Sequence, residues 1–265
     1  MNEIRIGSWA ELQEKLFENS WNEGLDRFRP NHAFRETDDA SYPLKTSISR
    51  LGGDAEDLER HLMRNLRKYA GRDVVEQDSL WHWPSVAKHH GLPTRLLDWT
   101  HSPFVAMHFY TADIGRFDAD GAIWVVDYVK AQELLPEELR AQLAKEGSNM
   151  FTGEMLCRVA DFLEDLKGMH PPNFVGFFEP PSMDERIVNQ YALLSFISDA
   201  GAMLDQWLEE RPGLWKKIVI PAELKWEIRD KLDQANVTER VLFPGLDGLS
   251  SWLKRHYMPK EREAN

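Results

Sequence analysis

The chain has 265 residues, 42% hydrophobic and 29% charged, enough for a real apolar core in one large domain or one domain with an appendage. Its net charge of −12 repels phosphate backbones and argues against general nucleic-acid binding. The single cysteine, Cys157, excludes an internal disulfide framework and reads as a small semi-apolar filler. No apolar run reaches signal-peptide length or the ~20 residues of a membrane span, so the reading is soluble and cytoplasmic, with no membrane partner.

In chain order, Ser8-Trp9-Ala10-Glu11 is an S-x-x-E capping box and predicts a helix over 9–18. Residues 31–35 read as a short strand and 44–50 as an irregular connection. Leu58, Leu62, Leu66 and Tyr69 recur at helical spacing and predict a helix over 55–69, stopped by Gly71. A second helix over 79–90 would turn Leu80, Trp83 and Ala87 inward and end at Gly91 and Pro93. Residues 94–98 are then extended, and Thr100 or Ser102 caps a buried helix opened by Pro103.

Residues 121–128 are β-branched, aromatic and almost wholly apolar, the pattern of an interior strand. Helices are expected over 131–143 and 154–166, and a strand over 174–178. A second S-x-x-E box, Ser182 to Glu185, predicts a brief helix to Gln190. Strands over 191–197 and 215–220 follow, then a helix from Pro221 to Gln234. Thr238 caps a segment leading to Phe243-Pro244-Gly245, and a last helix carries Leu246, Leu249, Trp252 and Leu253. Helices and strands do not alternate regularly, and no Gly-rich strand-to-helix turn is present. The expected class is α+β, a single domain with a central mixed sheet flanked by helices.

The richest stretch is His89-His90-Gly91-Leu92-Pro93-Thr94-Arg95-Leu96-Leu97-Asp98-Trp99-Thr100. Polar groups are set into an apolar element, and buried polar groups are paired or functional. A local Arg95–Asp98 ion pair closing the turn is one reading. A carboxylate embedded among Leu96, Leu97 and Trp99 would leave a costly unpaired partner if removed, about 1–3 kcal/mol, so Asp98→Ala is expected to lower stability. His82, His89 and His90 lack an H-E-x-x-H pattern or a cysteine partner, and no metal site is assigned. No G-x-S-x-G elbow supports a serine hydrolase. Trp81-His82-Trp83 at helical spacing reads as core packing.

This stretch resembles the signature of the FRG-domain family, a group of bacterial and phage-type intracellular domains. Phe34-Arg35 matches the start of the tripeptide that names it, although Glu36 stands where the family has glycine. The segment from Pro181 to Tyr191, through Arg186 and Gln190, resembles the family's Arg-then-Gln element. Leu242-Phe243-Pro244-Gly245-Leu246-Asp247-Gly248-Leu249 resembles its closing element. On this resemblance the chain divides into a helical lead-in over 1–28, an FRG-like domain over 29–255 and a charged tail over 256–265.

The motif order is similar to that of the ADP-ribosyltransferase fold, which implies an NAD-using transferase or glycohydrolase. In that reading Arg35, Thr94, Arg95 and Thr100 hold the nucleotide, while Gln190, Asp98 and Glu185 serve the chemistry. NAD would be a substrate, with a protein as acceptor; no resident cofactor is implied. The alternative is a non-catalytic sensor that holds a nucleotide or a protein in the same pocket. Either reading requires Arg35, Thr94, Arg95, Asp98 and Gln190 to converge.

Overall fold

The computed structural model describes residues 2–71, 74, 81–160 and 163–259. Strand β1 (Glu3–Arg5) leads to helix α1 (Trp9–Phe17), started by Ser8: its hydroxyl accepts from the Glu11 amide, and Glu11 accepts from the Gly7 amide. A small hairpin, β2 (Trp21–Asn22) and β3 (Arg27–Phe28), precedes β4 (His32–Thr37). The connection expected to be irregular contains one helical turn, α2 (Ser47–Arg50), capped by Thr46.

Helix α3 (Ala55–Tyr69) has the predicted limits, and Leu58 and Leu62 of the predicted stripe pack against the buried Ile48 and Ala55. Tyr69 is exposed, and the charged Glu59 is among its buried residues. Helix α4 (His82–His89) buries Trp83 and Ala87; Ser79 and Leu80 lie outside the described residues. Strand β5 (Leu97–Thr100) follows, and Ser102 rather than Thr100 caps α5 (Pro103–Tyr110) by accepting from the Val105 amide.

After β6 (Gly121–Asp127), the helix expected over 131–143 is two: α6 (Tyr128–Gln132) and α7 (Glu137–Glu146). Pro136 divides them, because the residue before a proline is pushed out of the helical region. Strand β7 (Phe151–Thr152) and α8 (Gly153–Cys157) come next. A 3-10 turn covers Leu163–Gly168, so the helix expected over 154–166 is not continuous; residues 161–162 lie outside the described residues.

Strand β8 (Val175–Glu179) precedes α9 (Glu185–Asn189). Asp184 caps that helix by accepting from Ile187, displacing the expected Ser182. Strand β9 (Ala192–Ile197), α10 (Leu204–Glu209), β10 (Trp215–Ile220), α11 (Lys225–Gln234), α12 (Glu239–Leu242) and α13 (Leu246–His256) complete the order. No described helix is long and apolar enough to cross a membrane.

Eight of these strands form one mixed sheet in the order β1-β10-β6-β4-β5-β9-β8-β7. The outer pairs β1–β10 and β7–β8 are parallel and the others antiparallel. Strand β6 lies between β10 and β4, the interior place its apolar run predicts.

One face of the sheet has a core that crosses all the central strands, from Trp124 and Ala33 through Trp99 to Leu193 and Phe177. The opposite face is covered in two separate parts. Helices α1, α5 and α11 pack on Phe34, Ile123 and Ile218 over one half. Trp81, α7 and α8 pack on Phe178, Leu194 and Phe196 over the other. The division falls at the β4–β5 junction, where the two strands share a single register pair, Phe34 with Thr100.

Gly248 lets α13 close on α12. A Cβ there would fall 1.8 Å from the Phe243 carbonyl oxygen and 2.7 Å from that of Glu239. Gly248→Ala should therefore cost about 1–3 kcal/mol, as overpacking does. Chemical denaturation read by tryptophan fluorescence would measure it, and an unchanged midpoint would disprove the tight contact.

Candidate functional site

Because successive strand residues point to opposite faces, the Phe34–Thr100 pair fixes which neighbours share a side. Phe34, Glu36, Asp98 and Thr100 lie on the divided face, on opposite banks of the gap between β4 and β5. The gap opens into a cleft of about 210 Å³. Its walls include Phe34, Arg35 and Glu36 from β4, and Asp98, Trp99 and Thr100 from β5. Ser85, Lys88 and His89 come from α4 and Phe109 from α5; Arg186, Ile187 and Gln190 stand on or next to α9.

Arg35 takes over where the backbone ladder stops. Its Nη1 donates to the Asp98 carbonyl oxygen at 2.7 Å and lies 4.0 Å from the Asp98 carboxylate. Its Nε is buried with no hydrogen-bond partner. Lys88 meets the Asp98 carboxylate at 2.7 Å. One ring nitrogen of His89 lies 2.7 Å from Asp184. Burial of Asp184 works to raise its pKa, but the Ile187 amide and His89 outweigh it and hold the carboxyl below the usual range.

Arg186 lies with its guanidinium 4.8 Å from the centre of the Phe243 ring, and its Nε is also buried without a partner. Glu36 has no ion pair and no side-chain partner among the described residues; its carboxyl takes a hydrogen bond only from its own backbone amide. Burial pushes its carboxyl up to about 7, against the pull of the neighbouring Arg35 guanidinium.

The residues singled out from sequence separate into two groups. Arg35, Asp98, Thr100 and Gln190 line the cleft together. The Thr100 hydroxyl donates to the Gln190 carbonyl oxygen at 2.7 Å, and the Gln190 amide donates to the Leu242 carbonyl oxygen at 3.0 Å. Thr94 and Arg95 do not line it. Thr94 is fully buried; its amide donates to the Ser47 hydroxyl at 3.1 Å and its carbonyl accepts from that hydroxyl at 3.2 Å.

Arg95 does not pair with Asp98. Its Nε donates to Glu59 at 2.5 Å, its amide to the same carboxylate at 2.8 Å, and its Nη1 to the Ser198 carbonyl oxygen at 3.0 Å. Glu185 is exposed and is not a wall residue of the cleft. The carboxylates that do line it are Asp98 and Glu36. Glu36 stood out in the sequence only as a departure from glycine, and Lys88 was not singled out at all. Among the described residues no three His, Cys, Asp or Glu side chains gather into a metal-binding group.

The matched family model gives the region its name. A model described as the FRG domain matches residues 30–119, the segment from just before β4 to just beyond α5. The chain carries an FRG domain. The match includes Arg35, Glu36, Lys88, Asp98 and Thr100, while Arg186 and Gln190 lie beyond its end. No curated protein and no solved structure matches the chain.

The two acidic partners should differ sharply on mutation. The Arg95 and Glu59 side chains are 2% and 4% exposed, so Glu59→Ala leaves a buried guanidinium without its counter-ion and should cost about 3–5 kcal/mol. The Asp98 side chain is 59% exposed, contrary to its embedded appearance in the sequence. Asp98→Ala should cost only about 0–1 kcal/mol. Urea denaturation of both variants would check this, and equal losses would contradict it.

Proposed function

We propose that the cleft binds NAD and cleaves the bond between ribose and nicotinamide, as an ADP-ribosyltransferase or a glycohydrolase. The observation that carries this reading is the joint lining of one cleft by Arg35, Asp98, Thr100 and Gln190, which the sequence holds far apart. The cleft offers cations and carboxylates side by side, with apolar walls from Phe34, Phe109 and Ile187. NAD has the complementary chemistry: an anionic pyrophosphate, ribose hydroxyls and a positively charged nicotinamide ring.

A volume of about 210 Å³ is below the roughly 300–1,000 Å³ of drug-sized sites. The enclosed part suits one ring and its ribose, and the rest of a dinucleotide would run outward over the rim. Arg35 and Lys88, already beside Asp98, would meet the phosphates. Breaking the glycosidic bond builds positive charge on the ribose, and the Asp98 carboxylate would stabilise it there. Gln190 would contribute as a wall: its amide is committed to Leu242 and its carbonyl to Thr100.

The test is to incubate the pure protein with NAD, assay released nicotinamide and measure NAD binding by calorimetry. Release should be seen with the parent protein. Arg35→Ala, with folding checked by circular dichroism, should weaken binding about ten- to a hundredfold, the worth of a charge-assisted hydrogen bond. Tight binding without release would instead favour the sensor reading. Neither binding nor release would sink both readings and leave a protein-interaction module.

A further inference from the structure

We infer that Glu36 is the general base of the cleft, the group that takes the proton from the attacking water when the nicotinamide bond breaks. This rests on the NAD-cleaving reading of the same site.

Of the two carboxylates in the cleft, Asp98 is poorly suited to accept a proton. Lys88 holds it at 2.7 Å and Arg35 lies 4.0 Å away, so its negative charge is already met by cations. Glu36 stands across the gap from it, on the same face; its carboxyl takes a hydrogen bond from its own backbone amide, and among the described residues it has no ion pair and no side-chain partner. A base needs lone pairs that are free and directed at the substrate, and an affinity for protons near the working pH. Burial gives Glu36 the second property by pushing its carboxyl up to about 7.

The charged and titratable groups around it are few and come from each bank. Arg35 and Asp38 belong to its own stretch, Asp98 to β5, Lys88 and His89 to α4, and Arg186 to α9. Burial is the largest influence on Glu36, and Arg35 opposes it.

The water oxygen forms a bond to C1′ of the nicotinamide ribose as the C1′–N bond breaks. The electron pair of that bond leaves with nicotinamide, which departs neutral. The water proton passes to the Glu36 carboxylate and is later lost to solvent. The products are ADP-ribose, nicotinamide and one proton.

The test is the pH profile of nicotinamide release for the parent, Glu36→Gln and Glu36→Asp, with NAD affinity measured alongside. A base acts in its ionised form, so the parental rate should rise with pH through about 7 and then level off. Glu36→Gln is the neutral isostere of a carboxyl that burial already favours in its protonated state, so it should fold. Its rate should fall about a hundredfold or more and lose the pH limb, with NAD affinity within about threefold of the parent. Glu36→Asp should be slower but keep the limb.

A Gln variant with the parental rate and limb would overturn the assignment and leave the cleft reading standing. A loss of rate matched by an equal loss of affinity would overturn it too, by making Glu36 a binding group. A parent that releases no nicotinamide at any pH would remove the cleft reading, and this inference with it.

Discussion

Strands β4 and β5 touch through one register pair, and the rest of the molecule is arranged around that thin contact. A sheet normally closes each gap with a ladder of backbone bonds. Here the ladder stops, and Arg35 spans the opening by donating to the Asp98 carbonyl oxygen. The uninterrupted core on the far face keeps the two halves of the sheet together. The near face is therefore free to be covered in two parts, α1, α5 and α11 on one half and Trp81, α7 and α8 on the other, and the cleft between them is walled by α5 and α4. A cleft between two packed helices, floored by strand ends, is a rigid place for side chains to meet.

The same geometry divides the signature stretch into two roles. Thr94, Arg95, Leu96, Leu97 and Trp99 are buried and structural. Arg95 ties α3 to β5 and to the end of β9 through Glu59 and Ser198, and the Trp99 ring nitrogen donates to Ser195. Asp98 and Thr100 face the cleft. An Arg–Glu pair so deeply buried is weak evidence for stability in itself, since desolvation offsets much of its attraction. Its geometric effect is firmer: the Glu59 carboxylate accepts from both the backbone and the side chain of Arg95, which fixes the backbone that enters β5.

Much of this was legible in the sequence where pattern and physics agree. The limits of α3 and β10, the interior place of β6 and the cap at Ser8 follow from periodicity and capping chemistry. The local Arg95–Asp98 pair fails for a reason the sequence already contained: in an extended chain, residues three apart point to opposite sides. Glu59 was less readable, because a glutamate in a highly charged helix looks like part of a solvated face until a distant arginine claims it. Helix α10 and the short strands β1, β2, β3 and β7 carry too few residues to show a period. Asp184 outcompeted Ser182 as the α9 cap, a choice between two good caps that spacing alone does not make.

The closing element near the C-terminal end bears on the cleft although it does not line it. Phe243 receives the Arg186 guanidinium on its ring, the Leu242 carbonyl accepts from Gln190, and the Val241 carbonyl accepts from Asn189. Helix α9, one wall of the cleft, is thus held at three points by α12 and the residue after it. Helix α12 is held in turn. Arg255 on α13 bonds both Glu239 on α12 and Asp233 on α11. Burial opposes ionisation of Glu239, but Arg255 outweighs it and brings the carboxyl down to about 2, so this clamp stays charged well into acid. Gly248 allows α13 to approach closely enough for the clamp to close. Arg186 and Gln190 can therefore keep their positions across from Arg35 without any direct bond to it, because the chain that fixes them runs through α12, α13 and α11 and back to α5, where Arg229 on α11 bonds His108.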